Sequence, residues 1–434
     1  MTRIHYTGFS RRLLMENQTK AVSFNPKTPT VLHIDLNSCF ATIEQQANPK
    51  LRGKPIAVAA YDSPRGCILA PSKEAKLLGI KVGMRVSEGK ILCRNLIILT
   101  PDPWKYRTIH MRLKELLLHY SNVVIPKSID EFIVDIEGYP AEHMGAVEVA
   151  KEIKERIRKE IGEWLTVSIG IAPNRYLAKI GAGLHKPDGL DVIDAESFSA
   201  IYKSLELTDL CGIKVGNASR LQNGGIHSVW DMYSAPIWQM KAAFHSIVGY
   251  YWWMRLHGWE IDDVESSRKT YGNSYALPDT RVTPQALAPI LMKLVEKTGA
   301  RLRKAGYVAR GVHLAIVYRD HSFWHKGKSI EEDIFDSRDI YKHAYALLEQ
   351  SPERKPVANI AISCFHLSTA KGVQQGLFED REKKGRVVEA IDAINERWGA
   401  FVITPAMMMG MGDKIIDRIS FGGIKELEES ILHS

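Results

Sequence analysis

Three acidic residues lie in or beside apolar segments that would not by themselves accept a charge. Asp35 is enclosed in VLHIDLNSCF, residues 31–40, whose apolar run predicts a buried strand. Asp130 and Glu131 are adjacent in SIDEFIVDI, a second segment of strand-forming residues. Because neighbouring side chains of a strand point to opposite faces, both carboxylates can reach one site only at a strand end or a turn.

If these three carboxylates converge, they require cations, since burying an unpaired charge is strongly unfavourable. A set of oxygen ligands suits Mg²⁺. Two such ions about 3.5–4 Å apart could activate a primer hydroxyl and stabilise a leaving pyrophosphate. In the alternative interpretation, Asp130 and Glu131 are solvated turn residues and Asp35 caps the end of a strand. These two segments alone do not decide between the interpretations.

Basic residues in a third segment favour phosphate chemistry. In SIGIAPNRYLAKIGAGLHKPDGL, residues 168–190, a strand is followed by a turn and by a helix that carries Arg175 and Lys179. Lys186 comes directly after this helix. Such cations could hold the phosphates of a nucleotide that is bound beside the carboxylates.

The elements that must position these residues change in type along the chain. Residues 31–190 alternate between strand-like and helical segments, which predicts an α/β or α+β region with the largest core. Residues 196–262 have helical segments and no convincing strand, and residues 265–279 are polar and rich in turn residues, as in a linker. From 270 to 368 the predicted order is strand, helix, strand, strand, helix, strand.

The composition limits the class of protein. The chain has 434 residues, of which 45% are apolar and 25% charged, as in a globular protein of about three domains. It has no apolar run of about 18 residues, no signal peptide and no CxxC pair among its five cysteines, which predicts a cytoplasmic protein without membrane spans, disulfides or zinc. The net charge of +8 favours a polyanionic partner, although many basic proteins bind no nucleic acid.

Taken together, HIDLNSCFATIEQ, SIDEF and GIAPNRYLAKIGAGLHKPDGL resemble the catalytic core of the Y-family DNA polymerases, the lesion-bypass enzymes of DinB and UmuC type. The similarity covers about residues 30–370. It implies an α+β multidomain right hand with a ferredoxin-like palm, small fingers, a helical thumb and a βαββαβ little-finger domain. The implied division is an extension at 1–29, a palm at 30–195 with fingers at about 47–105, a thumb at 196–262, a little finger at 263–370 and a tail at 371–434.

The resemblance also implies roles for individual residues. Asp35, Asp130 and Glu131 match the carboxylates that hold two Mg²⁺ ions, and the backbone carbonyl of Leu36 matches a further metal ligand. Phe40 matches the steric gate, a bulky side chain that excludes the 2′-hydroxyl of a ribonucleotide by collision.

The cations that face the triphosphate follow the family pattern only in part. Lys186 matches the cation that binds the triphosphate of the incoming nucleotide. Lys73 and Lys76 lie near one face of a predicted helix, as they also would on a solvated basic face. The family usually presents a Tyr and an Arg to the phosphates at these positions. Lysine keeps the charge of the arginine but lacks its bidentate geometry. The replacement of the tyrosine by Lys73 puts the contact that the tyrosine makes in doubt. Asn37 replaces the second Asp of many relatives at a position that is not a direct metal ligand, so activity should survive.

Other segments resemble the parts of the family that bind DNA and the sliding clamp. LCGIKVGNASRLQNGGI resembles a helix-hairpin-helix, whose backbone amides hold a DNA phosphate. Arg268 and Lys269 are candidate contacts to the DNA backbone, although a solvated linker would show the same residues. Gln374, Leu377 and Phe378 in QQGLF resemble the short peptide with which bacterial polymerases bind the clamp.

The predicted function is that of an error-prone, template-directed DNA polymerase of translesion synthesis. It would add deoxynucleotides to a primer 3′-hydroxyl by two-metal phosphoryl transfer, as a monomer without proofreading. Its partners would be primer–template DNA, deoxynucleoside triphosphates and a sliding clamp. The alternative is a non-catalytic, polymerase-like adaptor between clamp and DNA, which has no need for three carboxylates beside DNA phosphates. A nucleotide cyclase would not need the thumb, the little finger or the clamp peptide.

Overall fold

In a computed structural model, the segment around Asp35 forms the central strand of a mixed sheet. Backbone contacts divide the chain into two units that meet in sequence at residues 264 and 265, close to the predicted end of the thumb. Within the part of the chain that is described, no helix is both long and apolar enough to cross a membrane. The structure describes residues 23–264, 268–277, 280–352, 354–369, 381–399 and 401–411.

The central strand, β1 (Val31–Leu36), pairs on both of its sides and sets the register of its neighbours. The other strands are β5 (Val124–Pro126), β6 (Glu131–Asp135), β7 (Val167–Ala172) and β8 (Leu190–Val192). The order in the sheet is β5, β6, β1, β7, β8. Both neighbours of β1 are antiparallel to it, and Asp35 lies opposite Glu131 on one side and Ser168 on the other.

Helices cover both faces of this sheet. In chain order, the helices of the first unit are α1 (Cys39–Ala47), α2 (Lys73–Leu77), α3 (Val86–Leu92), α4 (Pro103–Leu117), α5 (Ala146–Arg156), which continues as a π-helical turn (Ile157–Ile161), α6 (Arg175–Leu184), α7 (Phe198–Ser204), α8 (Val215–Asn223), α9 (Val229–Ser234), α10 (Ile237–Phe244) and α11 (Val248–Leu256). Leu32 and Ile34 pack with α1, α4 and α5 in the main core. Val31 packs in the opposite layer, which contains α6. His33 and Asp35 lie on the same face of β1 as Val31, because alternate residues of a strand share a face.

The fingers and the thumb are the smaller parts of the first unit. In the fingers, β2 (Ile56–Ala59) is antiparallel to β3 (Ile68–Pro71) and parallel to β4 (Ile97–Leu99). This sheet packs with α2 and α3 around a small core of its own. The region predicted as the thumb contains α7 to α11, and Trp252 and Trp253 of α11 are buried in the cluster that it shares with α6.

The second unit has the predicted order of strand, helix, strand, strand, helix, strand. These elements are β9 (Thr270–Ala276), α12 (Pro284–Lys304), β10 (Tyr307–Tyr318), β11 (Phe323–Ile334), α13 (Ser337–Glu349) and β12 (Val357–Thr369). The strands form an antiparallel sheet in the order β11, β10, β12, β9, and both helices pack on one face. The linker predicted at 265–279 is wrong in its second half, because Tyr271 and Tyr275 of β9 are buried in this core.

The described residues beyond 380 pack on the helical layer of the second unit. In α14 (Arg381–Trp398), the carboxylate of Asp392 accepts two hydrogen bonds from Arg303, at 2.6 and 2.8 Å. The segment that follows α14 buries Met408 and Met411 in the same core as the sheet. This part of the predicted tail is therefore folded onto the little-finger core.

Helix α6 crosses β7 so closely that no side chain fits between them. A Cβ atom on Gly170 would lie 2.1 Å from the carbonyl oxygen of Ala178 and 2.1 Å from the amide nitrogen of Ala182. The close crossing brings α6 and the loop after it near the end of β1, where Asp35 lies.

We predict that Gly170→Ala lowers the free energy of unfolding by about 3 kcal/mol, because a collision with backbone atoms cannot be relieved by rotating a side chain. Gly183→Ala in α6 is the control: a Cβ atom there would have no neighbour within 4 Å, and alanine favours a helix over glycine. Urea denaturation measures both variants, and equal stability would contradict the close crossing.

Candidate metal and nucleotide site

The acidic residues converge at one end of the central sheet. Asp35 lies opposite Glu131, the first residue of β6, and directly opposed residues of antiparallel strands share a face. Asp130 lies in the turn just before β6, and its carbonyl accepts a hydrogen bond from the Leu36 amide at 2.9 Å. The side chains of Asp35 and Glu131 are only 15% and 20% exposed. The carboxylates of Asp35 and Glu131 therefore meet at the end of β1, whereas the Asp130 carboxylate accepts a hydrogen bond from Ser128 Oγ in the turn beside them.

Two lysines neutralise Asp35 and Glu131. Lys186 Nζ lies 2.5 Å from Asp35 Oδ2. Lys179 of α6 donates to both carboxylate oxygens of Glu131, at 2.8 and 2.6 Å. Arg175, the other cation of this helix, pairs instead with acidic residues that follow α11. Of the cations in this segment, Lys179 and Lys186 reach the carboxylates and Arg175 does not.

His33 belongs to the same cluster and was not predicted from the sequence. Its ring is buried, and it lies on the same face of β1 as Asp35. His33 Nε2 is 3.8 Å from Glu131 Oε2, and potential ligand atoms of His33, Asp35 and Glu131 all lie within 4.8 Å of one another. Burial lowers the pKa of His33 to about 3, so the imidazole is neutral. Its position two residues before Asp35 in a predicted strand could have indicated that His33 shares a face with Asp35.

Burial governs the protonation of the carboxylates. It raises the pKa of Asp130 to about 6, and the neighbouring charges of Asp35 and Glu131 act in the same direction. Burial also raises the pKa of Asp35, although the Lys186 ammonium opposes this shift. For Glu131 burial acts in the same sense, but the contacts with Lys179 outweigh it and lower the pKa. Protons therefore compete with cations mainly at Asp130 and Asp35.

The cluster has the donors that a hard divalent cation needs. Asp35, Asp130 and Glu131 offer carboxylate oxygens, which Mg²⁺ prefers. Both ring nitrogens of His33 are buried, and within the described residues no hydrogen-bond partner reaches them. Since Lys179 and Lys186 now occupy the carboxylate oxygens, metal binding would displace their ammonium groups.

Phe40, the predicted steric gate, is a buried ring in the first turn of α1. It stacks on Tyr106 with the ring centroids 4.3 Å apart. The Tyr106 hydroxyl donates to Glu44 at 2.9 Å, and the buried Glu44 also accepts a hydrogen bond from Lys105 at 2.9 Å. Because Glu44 lies one turn after Phe40, these contacts hold the ring from its own helix and from α4. The neighbours that cover the ring must move before it can touch a sugar.

The two predicted lysines of the fingers differ in their surroundings. Partial burial and the nearby Lys186 ammonium lower the pKa of Lys76, and Asp35 opposes them. Lys76 therefore lies within the electrostatic field of the acidic cluster. Lys73 is the exposed first residue of α2, and no ion pair within the described residues involves it. Its contact with phosphate stays a prediction.

Arg268 and Lys269, the two predicted side-chain contacts to the DNA backbone, lie at the start of the second unit. Arg268 packs over the ring of Tyr271, 4.4 Å from its centroid. Lys269 is exposed just before the edge strand β9. The predicted clamp-binding residues fall outside the described part of the chain: Gln374, Leu377 and Phe378.

Comparison with known proteins identifies the family. Residues 34–183 match the impB/mucB/samB family, and residues 268–377 match the C-terminal domain of that family. A DNA polymerase IV of Pelotomaculum thermopropionicum is 30% identical over 385 residues, which cover 87% of this chain and 95% of the relative. The chain belongs to the Y-family of DNA polymerases. This Y-family chain is equally similar to DNA polymerase IV of Moorella thermoacetica, at 30% identity over 88% of the chain and 96% of the relative.

Solved structures give the same fold for this Y-family chain. A Y-family DNA polymerase chimera of Dbh and Dpo4 is 25% identical, covers 78% of this chain and 99% of the chimera, and has a TM-score of 0.70. A second structure, an insertion ternary complex of Dbh DNA polymerase, has a TM-score of 0.54 and the same identity of 25%, and covers 77% of this chain and 98% of that one. The right-hand fold predicted from the sequence is confirmed.

We predict that the metal-free protein binds Mg²⁺ more weakly as the pH falls below about 6, because the proton on Asp130 must leave before the carboxylate can bind a cation. Isothermal titration calorimetry should show about a tenfold loss of affinity per pH unit below that value, as expected for one competing proton. Asp130→Asn should bind Mg²⁺ more weakly at neutral pH and with less dependence on pH. A wild-type affinity that is constant down to about pH 5 would contradict the raised pKa of Asp130.

Proposed function

We propose that the protein is a template-directed DNA polymerase of translesion synthesis, which extends a primer 3′-hydroxyl with deoxynucleotides. The observation that carries this proposal is the pairing of Asp35 with Glu131 across β1 and β6, with Asp130 in the adjoining turn. A concentration of carboxylates repels DNA phosphates unless it serves to bind metal ions. Membership of the Y-family supports the function, as do relatives named DNA polymerase IV.

In this proposal, two Mg²⁺ ions supply the Lewis acidity for phosphoryl transfer when they are bound by Asp35, Asp130, Glu131 and the Leu36 carbonyl. The residues of the chain itself bind and orient the nucleotide. Lys186, once released from Asp35, neutralises the triphosphate together with Lys76 and Lys73. Each of these ammonium groups lowers the electrostatic cost of bringing a tetraanionic nucleotide to an acidic cluster.

The partners in this proposal are primer–template DNA, deoxynucleoside triphosphates and a sliding clamp. The insertion ternary complex of the related Dbh DNA polymerase supports the first two. We assign backbone contacts with DNA to Arg268 and Lys269, and clamp binding to the QQGLF segment. The protein would act as a cytoplasmic monomer and without proofreading. A non-catalytic adaptor, the alternative, gives no reason for the carboxylate cluster.

Asp130→Ala and Glu131→Ala should each slow primer extension by about a thousandfold or more, roughly 4 kcal/mol of activation free energy, while DNA binding persists. A primer-extension assay with Mg²⁺ and all four deoxynucleotides measures the rate, and fluorescence anisotropy measures DNA binding. Glu137→Ala is the matched control, because this half-exposed carboxylate pairs with Lys27 at the surface. Normal extension by either site variant would refute the catalytic role, and a wild-type protein that binds DNA without extending it would favour the adaptor.

Phe40→Ala should admit ribonucleotides, because it removes the ring that would collide with a 2′-hydroxyl. We expect the ratio of kcat/KM for deoxynucleotides over ribonucleotides to fall by about a hundredfold. Cys39→Ala serves as the control, since Cys39 is the adjacent buried residue of α1. An unchanged ratio in Phe40→Ala would withdraw the gate role from this residue and leave the polymerase assignment intact.

A further inference from the structure

The Lys186 side chain is carried by a loop that the protein holds from two sides. On the side of the sheet, the Gly189 amide donates to Ser168 Oγ at 3.3 Å, and Ser168 Oγ donates to Asn37 Oδ1 at 3.0 Å. Asn37 is buried and lies two positions after Asp35 in the sequence. A chain of hydrogen bonds therefore links the loop to the end of the strand that carries a metal-binding carboxylate.

On the other side, α5 binds the loop through two basic residues. Lys154 Nζ donates to the backbone carbonyls of Asp188 and Gly189, at 2.5 and 3.2 Å, and lies 2.9 Å from the Asp188 carboxylate. Arg158, in the π-helical turn, pairs with the other oxygen of the same carboxylate. The side chain of Lys154 is 15% exposed and that of Arg158 is 48% exposed. Lys154 thus holds the loop backbone, and Arg158 holds only the Asp188 side chain.

These contacts differ from an ordinary surface ion pair, which contributes little to stability. Lys151, on the same helix, makes such a pair with Glu148, and both side chains are more than half exposed. Lys154 is mostly buried, and its three N–H donors have two carbonyls and a carboxylate within reach. Asp188 has a φ of 62°, in the left-handed region, so the loop conformation needs surrounding contacts to hold it.

We propose that Lys154 is a positioning residue for nucleotide binding, which holds the Lys186–Gly189 loop so that the Lys186 ammonium stands at the acidic cluster, ready for the triphosphate. This inference rests on the proposed role of Lys186 at the triphosphate. Lys154 acts through two backbone carbonyls rather than through the substrate. A cation that is already in place loses less conformational freedom when the nucleotide binds, and this raises the affinity for the nucleotide.

Lys154→Met keeps the length and the apolar stem of the side chain and removes the ammonium. We expect the apparent Kd for the deoxynucleotide to rise about tenfold and the maximal insertion rate to fall less than about threefold, since binding is affected more than chemistry. Arg158→Gln should raise the Kd only about threefold, because Arg158 does not reach the loop backbone. Lys154→Arg should restore most of the affinity. Lys151→Met is the matched control and should stay within about twofold of wild type.

A double-mutant cycle with Lys186→Ala distinguishes positioning from a general structural role. If Lys154 acts through Lys186, then Lys154→Met changes the Kd by less than about twofold in the Lys186→Ala background. A merely structural defect would lower the melting temperature and the fraction of active enzyme, and would weaken nucleotide binding equally in both backgrounds. Equal effects in the two backgrounds would therefore overturn the inference.

Single-turnover insertion of one nucleotide on a labelled primer–template gives the Kd and the rate for every variant. Thermal melting and DNA-binding anisotropy confirm that the variants are folded. If Lys186→Ala weakens nucleotide binding and Lys154→Met does not, the inference is wrong and the proposed function stands. If Lys186→Ala leaves nucleotide binding unchanged, the role of Lys186 itself fails, and the inference falls with it.

Discussion

The free-energy cost of removing three carboxylates from water at the ends of β1 and β6 is the constraint on which the first unit depends. Register places Asp35 opposite Glu131, and burial leaves each in need of a cation. Lys179 comes from α6 and Lys186 from the loop after it, so this helix must lie close to β7. That close approach requires a residue without a side chain at position 170. One glycine in the sheet thus supports the electrostatic balance of the site.

The lysines that neutralise Asp35 and Glu131 also bear on metal binding. Because Lys179 pairs with Glu131 and Lys186 with Asp35, metal ions bound by these carboxylates would replace the two ammonium groups. In the proposed function, the displaced Lys186 ammonium would neutralise the triphosphate of the nucleotide. Metal binding and nucleotide binding would then be linked through Lys186.

The sequence was sufficient where short-range patterns carried the information. An acidic pair in a strand-forming segment required a strand end, and the structure has Glu131 as the first residue of β6. It was insufficient where contacts join distant segments. Nothing local indicated that Tyr106 would pack on Phe40, or that Lys179 would face a carboxylate. The strands β3, β5 and β8, of three or four residues each, are too short to show an alternating pattern.

The small core of the fingers has a mechanical consequence. Alanines occupy much of it, and its buried apolar residues form a cluster separate from that of the palm: Ala57, Ala59, Ile68, Ala75, Ile80, Val86 and Leu96. Little apolar area is buried there, so local opening costs much less than unfolding the palm. In the proposed polymerase, yielding of the fingers would accommodate a distorted template base while the carboxylates keep their geometry. Tolerance of a damaged template and catalysis would then depend on two regions of the protein, the fingers and the palm, which differ in stiffness.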